Sequence, residues 1–195
     1  MALRICHAAR YQSPLTLAQR LQVDSNGWRP VNTEELAAIC PRDGQAGDVC
    51  VIAIPRHLLK QWWKLAEASD GDPSHITAGF KGYAREVAEY FEYKSWTLPP
   101  DAVMEVLVSD TERECALQPS QATRFSGGVG KLLACINLGD ESLAIVLGAE
   151  SARIRVILEP GEGLMLPASG VLWNLSTLGS ADPAITLLIG SLSTD

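Results

Sequence analysis

Residues 131–190 alternate short apolar runs, rich in Val, Ile and Leu, with clusters of Gly, Asp, Ser and Pro. Each run has the length of a strand and each cluster the chemistry of a turn, so the region predicts a compact all-β sandwich or barrel. Over 153–158 the alternation has period two. Ile154, Val156 and Leu158 fall on the expected core face, and Arg153, Arg155 and Ile157 on the other. Further strands are expected at 102–108, 114–117 and 121–125. Ahead of them, DVCVIAI at 48–54 has strand length and stops at Pro55. The period then changes. Leu59, Trp62, Trp63 and Ala66 share one side of a helix expected over 56–69. Phe80, Tyr83, Ala84, Val87 and Phe91 mark a longer helix over 77–93, and the polar stretch 70–75 between the two reads as a loop. Two short helices are expected earlier. Ser13-Pro14 opens one; Asn32 caps the other, with Glu35 three residues on and Pro41 ending it. Helices first and strands afterwards predict an α+β architecture, the helices packed on one face of a largely antiparallel β structure. Leu98-Pro99-Pro100 divides a helix-rich portion with one early strand, 1–98, from a β core, 99–195, within one integrated domain.

Composition narrows the functional classes. A chain of 195 residues, 47% hydrophobic and 20% charged, can bury a sizeable core and is not a disordered polymer. Its charge is uneven. The first 98 residues carry 11 basic and 11 acidic side chains, while the remainder carries 5 and 12 and supplies the whole net charge of −7. No Lys, Arg or His follows Arg155. Such a surface repels phosphate backbones, so nucleic acid is not an expected partner. The five cysteines, Cys6, Cys40, Cys50, Cys115 and Cys135, include no C-x-x-C pair and lie mostly in apolar runs. Buried reduced thiols are expected rather than disulfides or a zinc site. No stretch has the length of a signal-peptide core or a membrane span, so a soluble, cytoplasmic protein is expected.

Chemistry-bearing motifs are sparse. There is no Ser-centred elbow, phosphate loop or H-E-x-x-H. His7 stands beside Cys6, where the alternative to a plain role is a thiolate–imidazole pair. His57 stands at a helix start and His75 follows Asp72-Pro73-Ser74 in the expected loop; both fit a surface role, with metal ligation as the alternative. One phrase stands out: Glu159-Pro160-Gly161-Glu162-Gly163, continuing through Pro167 and Gly170 to Trp173-Asn174. The segment PGEGLMLPASGVLWN resembles the second conserved motif of cupins and of the related Fe(II)/2-oxoglutarate oxygenases. That motif runs Gly, five residues, Pro, one residue, Gly, two residues, and a metal-binding His. Gly161 and Pro167 match, Gly170 comes one residue late, and Trp173 stands where the His would be. The strand over 131–138 with Gly139-Asp140-Glu141 looks like the hairpin before that motif, and DVCVIAIPRHLLKQWWKLAEAS like the strand-then-helix opening of the oxygenases.

The resemblance implies a double-stranded β-helix, a jelly-roll barrel, packed against the N-terminal helices. It also implies what this chain lacks. No His-x-Asp or His-x-Glu occurs, all three histidines precede the β region, and no base follows Arg155 to anchor a 2-oxoglutarate carboxylate. The resulting expectation is a non-catalytic, metal-free, cofactor-free cupin-like protein. It would bind a small molecule or a protein partner at the barrel mouth through Trp173, Asn174, Asn137 and Arg155. Each has a plainer reading: Trp173 as a core or rim aromatic, the asparagines as turn residues, Arg153 and Arg155 as solvated charges. Two alternatives stay open. One is a non-haem oxygenase-like enzyme using Fe(II) and 2-oxoglutarate with an atypical ligand set from His75, His57, Asp72 or Glu105. The other is a structural homodimer, in which Trp62 and Trp63 are the residues to test for an interface.

Overall fold

A computed structural model describes residues 30–35, 50–69, 73–96, 98–109, 115–117, 123–125, 128–149, 152–165, 173–177 and 184–192. The elements in chain order are β1 (Pro30–Asn32), β2 (Cys50–Ala53), α1 (Arg56–Ser69), α2 (Pro73–Tyr93), β3 (Ala102–Ser109), β4 (Cys115–Leu117), β5 (Thr123–Phe125), β6 (Gly128–Asn137), β7 (Leu143–Ala149), β8 (Ala152–Leu158), β9 (Glu162–Met165), β10 (Trp173–Thr177) and β11 (Ala184–Leu192). The class is α+β, as the order of periodicities implies. The strands form two five-stranded paths, β1-β8-β7-β10-β4 and β2-β9-β6-β11-β3, with β5 paired to β6. Every pairing is antiparallel except β1 with β8. The early strands β1 and β2 thus each extend a sheet built mainly from the C-terminal half. Among the described residues no helix is long and apolar enough to cross a membrane.

The helix expected over 56–69 is α1, end for end. The longer helix begins earlier than its apolar stripe, at Pro73, so His75 lies in a first helical turn and not in a loop. Proline suits the first helical position because its missing N–H would have no intrahelical partner there. Pro30–Asn32 is a strand that carries no pattern of its own. It sits at a sheet edge with Pro as its first residue, where a missing donor costs no ladder bond. Residues 33–35 turn helical directly after Asn32, as its capping pattern predicts. Residues 36–49, and the helix expected from Ser13-Pro14, lie outside the described residues.

Apolar spacing decides how the layers stack. Leu58, Leu59 and Trp62 of α1 and Tyr83, Val87 and Phe91 of α2 are buried in one cluster. Steps of three and four keep these side chains on one stripe of each helix. The stripe covers one face of the sheet containing β6 and β11. Leu187 lies opposite both Ile136 and Val106, and Ile189 opposite Ala134 and Met104, making two continuous apolar rows under the helices. Gln61 Nε2 donates to Glu86 Oε1 at 2.9 Å and Trp62 stacks near Phe80 and Tyr83, so α1 and α2 run antiparallel. Trp63 is half-buried and donates its indole N–H to Leu138 O at 2.9 Å, tying α1 to the end of β6. Trp62 is fully buried. Of the tryptophan pair, one is core and the other a rim anchor, as the helical spacing implies.

The opposite face of the same sheet carries Cys135, Asn137, Leu164, Thr186 and Leu188, all buried. From the second sheet come Leu143, Ile145, Val156 and Leu158, also buried and paired Leu143–Leu158 and Ile145–Val156. The period-two reading of 153–158 is thereby met at Val156 and Leu158.

The reversal between β8 and β9 is a type II β-turn. Glu162 N donates to Glu159 O at 2.9 Å, Pro160 takes the second position, and Gly161 has φ of 86° at the third. Glycine is required there because an L side chain is strained at that φ. Two further bonds dock the turn: Gly161 N to Asn137 O at 2.8 Å and Ile54 N to Gly161 O at 2.9 Å. One residue therefore joins the end of β6, the residue after β2 and the β8–β9 connection. Gly163 has a different reason. It sits opposite Ile136, and a Cβ there would overlap Cys135 O and approach Ile136 Cγ1 at 2.8 Å.

These observations rank three substitutions. Gly163→Ala pushes a carbon into backbone and should cost about 2–3 kcal/mol, against about 1 kcal/mol for Gly161→Ala, whose cost is conformational. Tyr83→Phe should be neutral or stabilising, because the Tyr83 hydroxyl is buried with no hydrogen-bond partner. Urea denaturation of the three variants measures the order; a Gly163→Ala protein as stable as the parent would contradict the close approach of β6 and β9.

Candidate functional site

Asn137 ends β6 and is buried. Its Nδ2 donates to Glu141 O at 2.8 Å and to Leu158 O at 2.9 Å, and its Oδ1 accepts from Gly139 N at 2.9 Å. A short amide side chain that bonds the backbone two residues on is an Asx turn. Here it also reaches across to the last residue of β8, linking the two sheets. Both amide hydrogens are thereby engaged within the fold, and the main-chain carbonyl holds Gly161.

Two carboxylates extend this junction. Glu162 Oε1 accepts from Thr33 Oγ1 at 2.7 Å, and Glu162 Oε2 from Glu159 N at 2.9 Å. The Glu159 carboxylate accepts from Ser142 Oγ at 3.1 Å. Charged acceptors make the stronger kind of hydrogen bond, so Glu162 fastens the segment after β1 to the turn, while Glu159 fastens to it the connection by which the chain passes from β6 in one sheet to β7 in the other. Asp140 and Glu141 are exposed at the same end. The result is a backbone junction carrying an acidic rim. The Glu-Pro-Gly-Glu phrase signals this feature in the sequence; Thr33 and Ser142 do not signal themselves, since Thr33 meets a partner 129 residues away.

The other residues singled out by sequence fall elsewhere. Trp173 opens β10 opposite Leu147 and Leu117; the same row continues from Leu147 to Ile154. By alternation this row has the register parity of Ile145 and Val156. Asn174 lies opposite Val146, which in turn lies opposite Arg155. Asn174 and Arg155 therefore share the other face of that sheet, two strands and about 10 Å apart. Register joins Arg155 with Asn174, places Trp173 across the sheet from them, and leaves Asn137 in the second sheet. Pro167 and Gly170 lie outside the described residues.

His57 is exposed in the first turn of α1 and His75 is the third residue of α2. Because Gln61 meets Glu86 in an antiparallel pair, the two histidines stand at opposite ends of the hairpin, about 20 Å apart along its axis. That is beyond the reach of two ligands on one ion. Asp72 and His7 lie outside the described residues. Glu105 is half-buried on β3 opposite Leu188, which places it on the Cys135 face of its sheet. Among the described residues no three His, Cys, Asp or Glu side chains are grouped as a metal set.

Cys135 is a buried free thiol, and desolvation pushes it up to about 12, an effect its contact with Leu164 O at 4.0 Å only tempers. The native chain holds this proton to higher pH than the unfolded chain does. The stabilisation is whole below the ordinary thiol value and is lost as pH climbs, since unfolding then releases a proton. Stability should fall by roughly 1.4 kcal/mol per pH unit from about pH 9. Burial pushes the Tyr83 hydroxyl the same way and steepens the fall above pH 10. In a pH series of denaturation curves, Cys135→Ala should flatten the decline between about pH 9 and 10. Asn137→Ala, which strands Gly139 N, Glu141 O and Leu158 O, should cost about 2–4 kcal/mol at neutral pH in the same assay.

Neither protein-family models nor curated proteins give a match to this chain. Among solved structures it is similar to Streptomyces albus HEPD, solved with its substrate 2-hydroxyethylphosphonate and Fe(II) bound, at 18% identity and a TM-score of 0.34. The match covers 49% of this chain and 19% of that one, and at that extent it fixes neither fold nor activity here.

Proposed function

We propose that this chain is a metal-free jelly-roll protein of the cupin-like kind, which binds a small molecule through the end of the sandwich where β10 begins. The observation that carries the reading is the strand order. Leaving aside β1, β2 and the hairpin arm β5, the remaining eight strands interleave as first-eighth-third-sixth in one sheet and second-seventh-fourth-fifth in the other. This is the double Greek-key pattern of a jelly roll. In that frame β10 is the seventh strand, and Trp173 stands at its first position.

The chemistry of the positions supports binding over catalysis. No histidine occurs after His75, so no strand from β3 onward can offer an imidazole, and no base after Arg155 is available on β9, β10 or β11. Among the described residues, the polar groups on the inner face are a buried amide, hydroxyl and thiol at Asn137, Thr186 and Cys135 and the half-buried Glu105 carboxylate, set among aliphatic side chains. Such a lining suits a largely apolar ligand with few polar contacts. In this reading Trp173 is the ligand contact, Asn137 closes the opposite end of the sandwich, where Leu158 lies opposite Leu143 and Leu143 opposite Thr177, and Arg155 with Asn174 belongs to the outer face, where a protein partner would sit.

The test is metal analysis of the purified protein, joined to thermal shift against Fe(II), Mn(II) and 2-oxoglutarate. Less than stoichiometric metal and an unchanged melting temperature are expected. A bound stoichiometric metal, or a rise of several degrees with metal and 2-oxoglutarate together, would transfer the chain to the oxygenase-like enzymes.

A further inference from the structure

The C-terminal end of α2 borders a cavity of about 380 Å³, separate from the space between the sheets and lined by Ala88, Glu92, Ser95, Trp96 and Leu98. Its local geometry is a Schellman cap. Ser95 N donates to Glu92 O at 2.8 Å and Trp96 N to Phe91 O at 2.9 Å, and the rings of Phe91 and Trp96 meet edge to face at 5.0 Å. The residue that must turn left-handed in this cap is normally Gly. Here it is Ser95, with φ of 59°, and among the described residues no other non-glycine has positive φ. A strained residue that lines a cavity points to a use for its side chain.

We propose that this cavity is a binding site for a small organic ammonium ion. Three features around it independently favour positive charge. The first is the Glu92 carboxylate in its wall. The second is the negative end of a 21-residue helix whose last turn contains no basic residue. The third is aromatic: Trp96 lines the cavity and belongs to a cluster with Tyr90, Tyr93 and Phe91. The same cluster already attracts a cation: Lys94 Nζ lies 5.8 Å from the Tyr90 ring and 5.9 Å from that of Tyr93. The volume falls in the range of small-molecule sites. The Ser95 hydroxyl supplies a neutral acceptor beside the carboxylate, matched to the N–H or O–H groups that an amine or amino alcohol carries.

The test uses choline chloride as the probe and 3,3-dimethylbutan-1-ol, its uncharged analogue of the same shape, as the control, with ionic strength held constant. Binding is followed by the Trp96 indole N–H resonance, assigned with Trp96→Phe. Choline should shift this resonance saturably, and the neutral analogue should bind about ten-fold more weakly or less. Glu92→Gln should weaken choline by a similar factor without lowering the melting temperature, because it removes a negative charge from the negative end of α2. Ser95→Gly relieves the cap and should raise the melting temperature while lowering the affinity for choline, a split that a purely structural serine would not give. Equal responses to the two probes, no saturable shift, or unchanged choline affinity in Glu92→Gln would each overturn the proposal.

Discussion

Gly161 accepts and donates main-chain hydrogen bonds to two strands that are far from it in sequence, and the rest of the fold is arranged so that it can. Its N–H reaches Asn137 O and its carbonyl receives Ile54 N. The turn geometry that permits both demands a positive φ, hence glycine, and Pro160 restricts the preceding residue to the matching conformation. Around this point the Asn137 amide fixes the turn that leads from β6 to β7 and reaches the end of β8, while Glu162 and Glu159 collect Thr33 and Ser142. Two sheets, the connection between them and the segment after β1 are therefore pinned at one end by hydrogen bonds that run from the buried Asn137–Leu158 contact out to the exposed Ser142–Glu159 one. Buried groups of this kind are costly to leave unmade, so the junction defines the register of everything attached to it.

A second constraint follows from β6 and β11 lying at the middle of their sheet. Both of its faces are covered, one by α1 and α2 and the other by the second sheet, so both parities of these strands are apolar or hydrogen-bonded. Ala134, Ile136, Leu187 and Ile189 meet the helices, whereas Cys135, Asn137, Thr186 and Leu188 face away from them. This is why period two is blurred in β6 and β11 while β8, with one face buried, shows it plainly. It also explains Cys135: a thiol enclosed on the inner face has no water to stabilise its thiolate, and reactivity is suppressed by the same packing that stabilises the sandwich.

The turn and the candidate site were legible unequally. Pro160, Gly161 and Trp173 announce themselves through turn chemistry and spacing. The helix stripe put Trp62 and Trp63 on one side without saying which is core; burial makes Trp62 the core residue and Trp63 the one at the rim. The role of Asn137 was visible only as a choice between ligand contact and turn, and hydrogen bonds to Glu141, Gly139 and Leu158 show where its amide goes. The start of α2 was misplaced because Pro73 lies outside the apolar stripe; its signal is positional, the fitness of proline for a first helical turn. The cavity at the end of α2 left no trace in the hydrophobic pattern, because a left-handed serine and a ring-on-ring cap are properties of backbone conformation.

Local chemistry by itself determined the α+β class, the bounds of α1, the turn at Pro160-Gly161, and the absence of any imidazole or late-chain base from the β region. Those are matters of period, of φ and of residue type, each settled within a few positions. Tertiary structure decided which strands neighbour one another, that Pro30–Asn32 completes a sheet edge, that Thr33 serves Glu162, and that Arg155 pairs its row with Asn174 and not with Trp173. A strand's sequence specifies which face is apolar but not which partner lies beside it. That choice is made by contacts between strands that are mostly distant in the chain, as Val31 is from Val156 and Leu187 from Val106, and these carry no local signature.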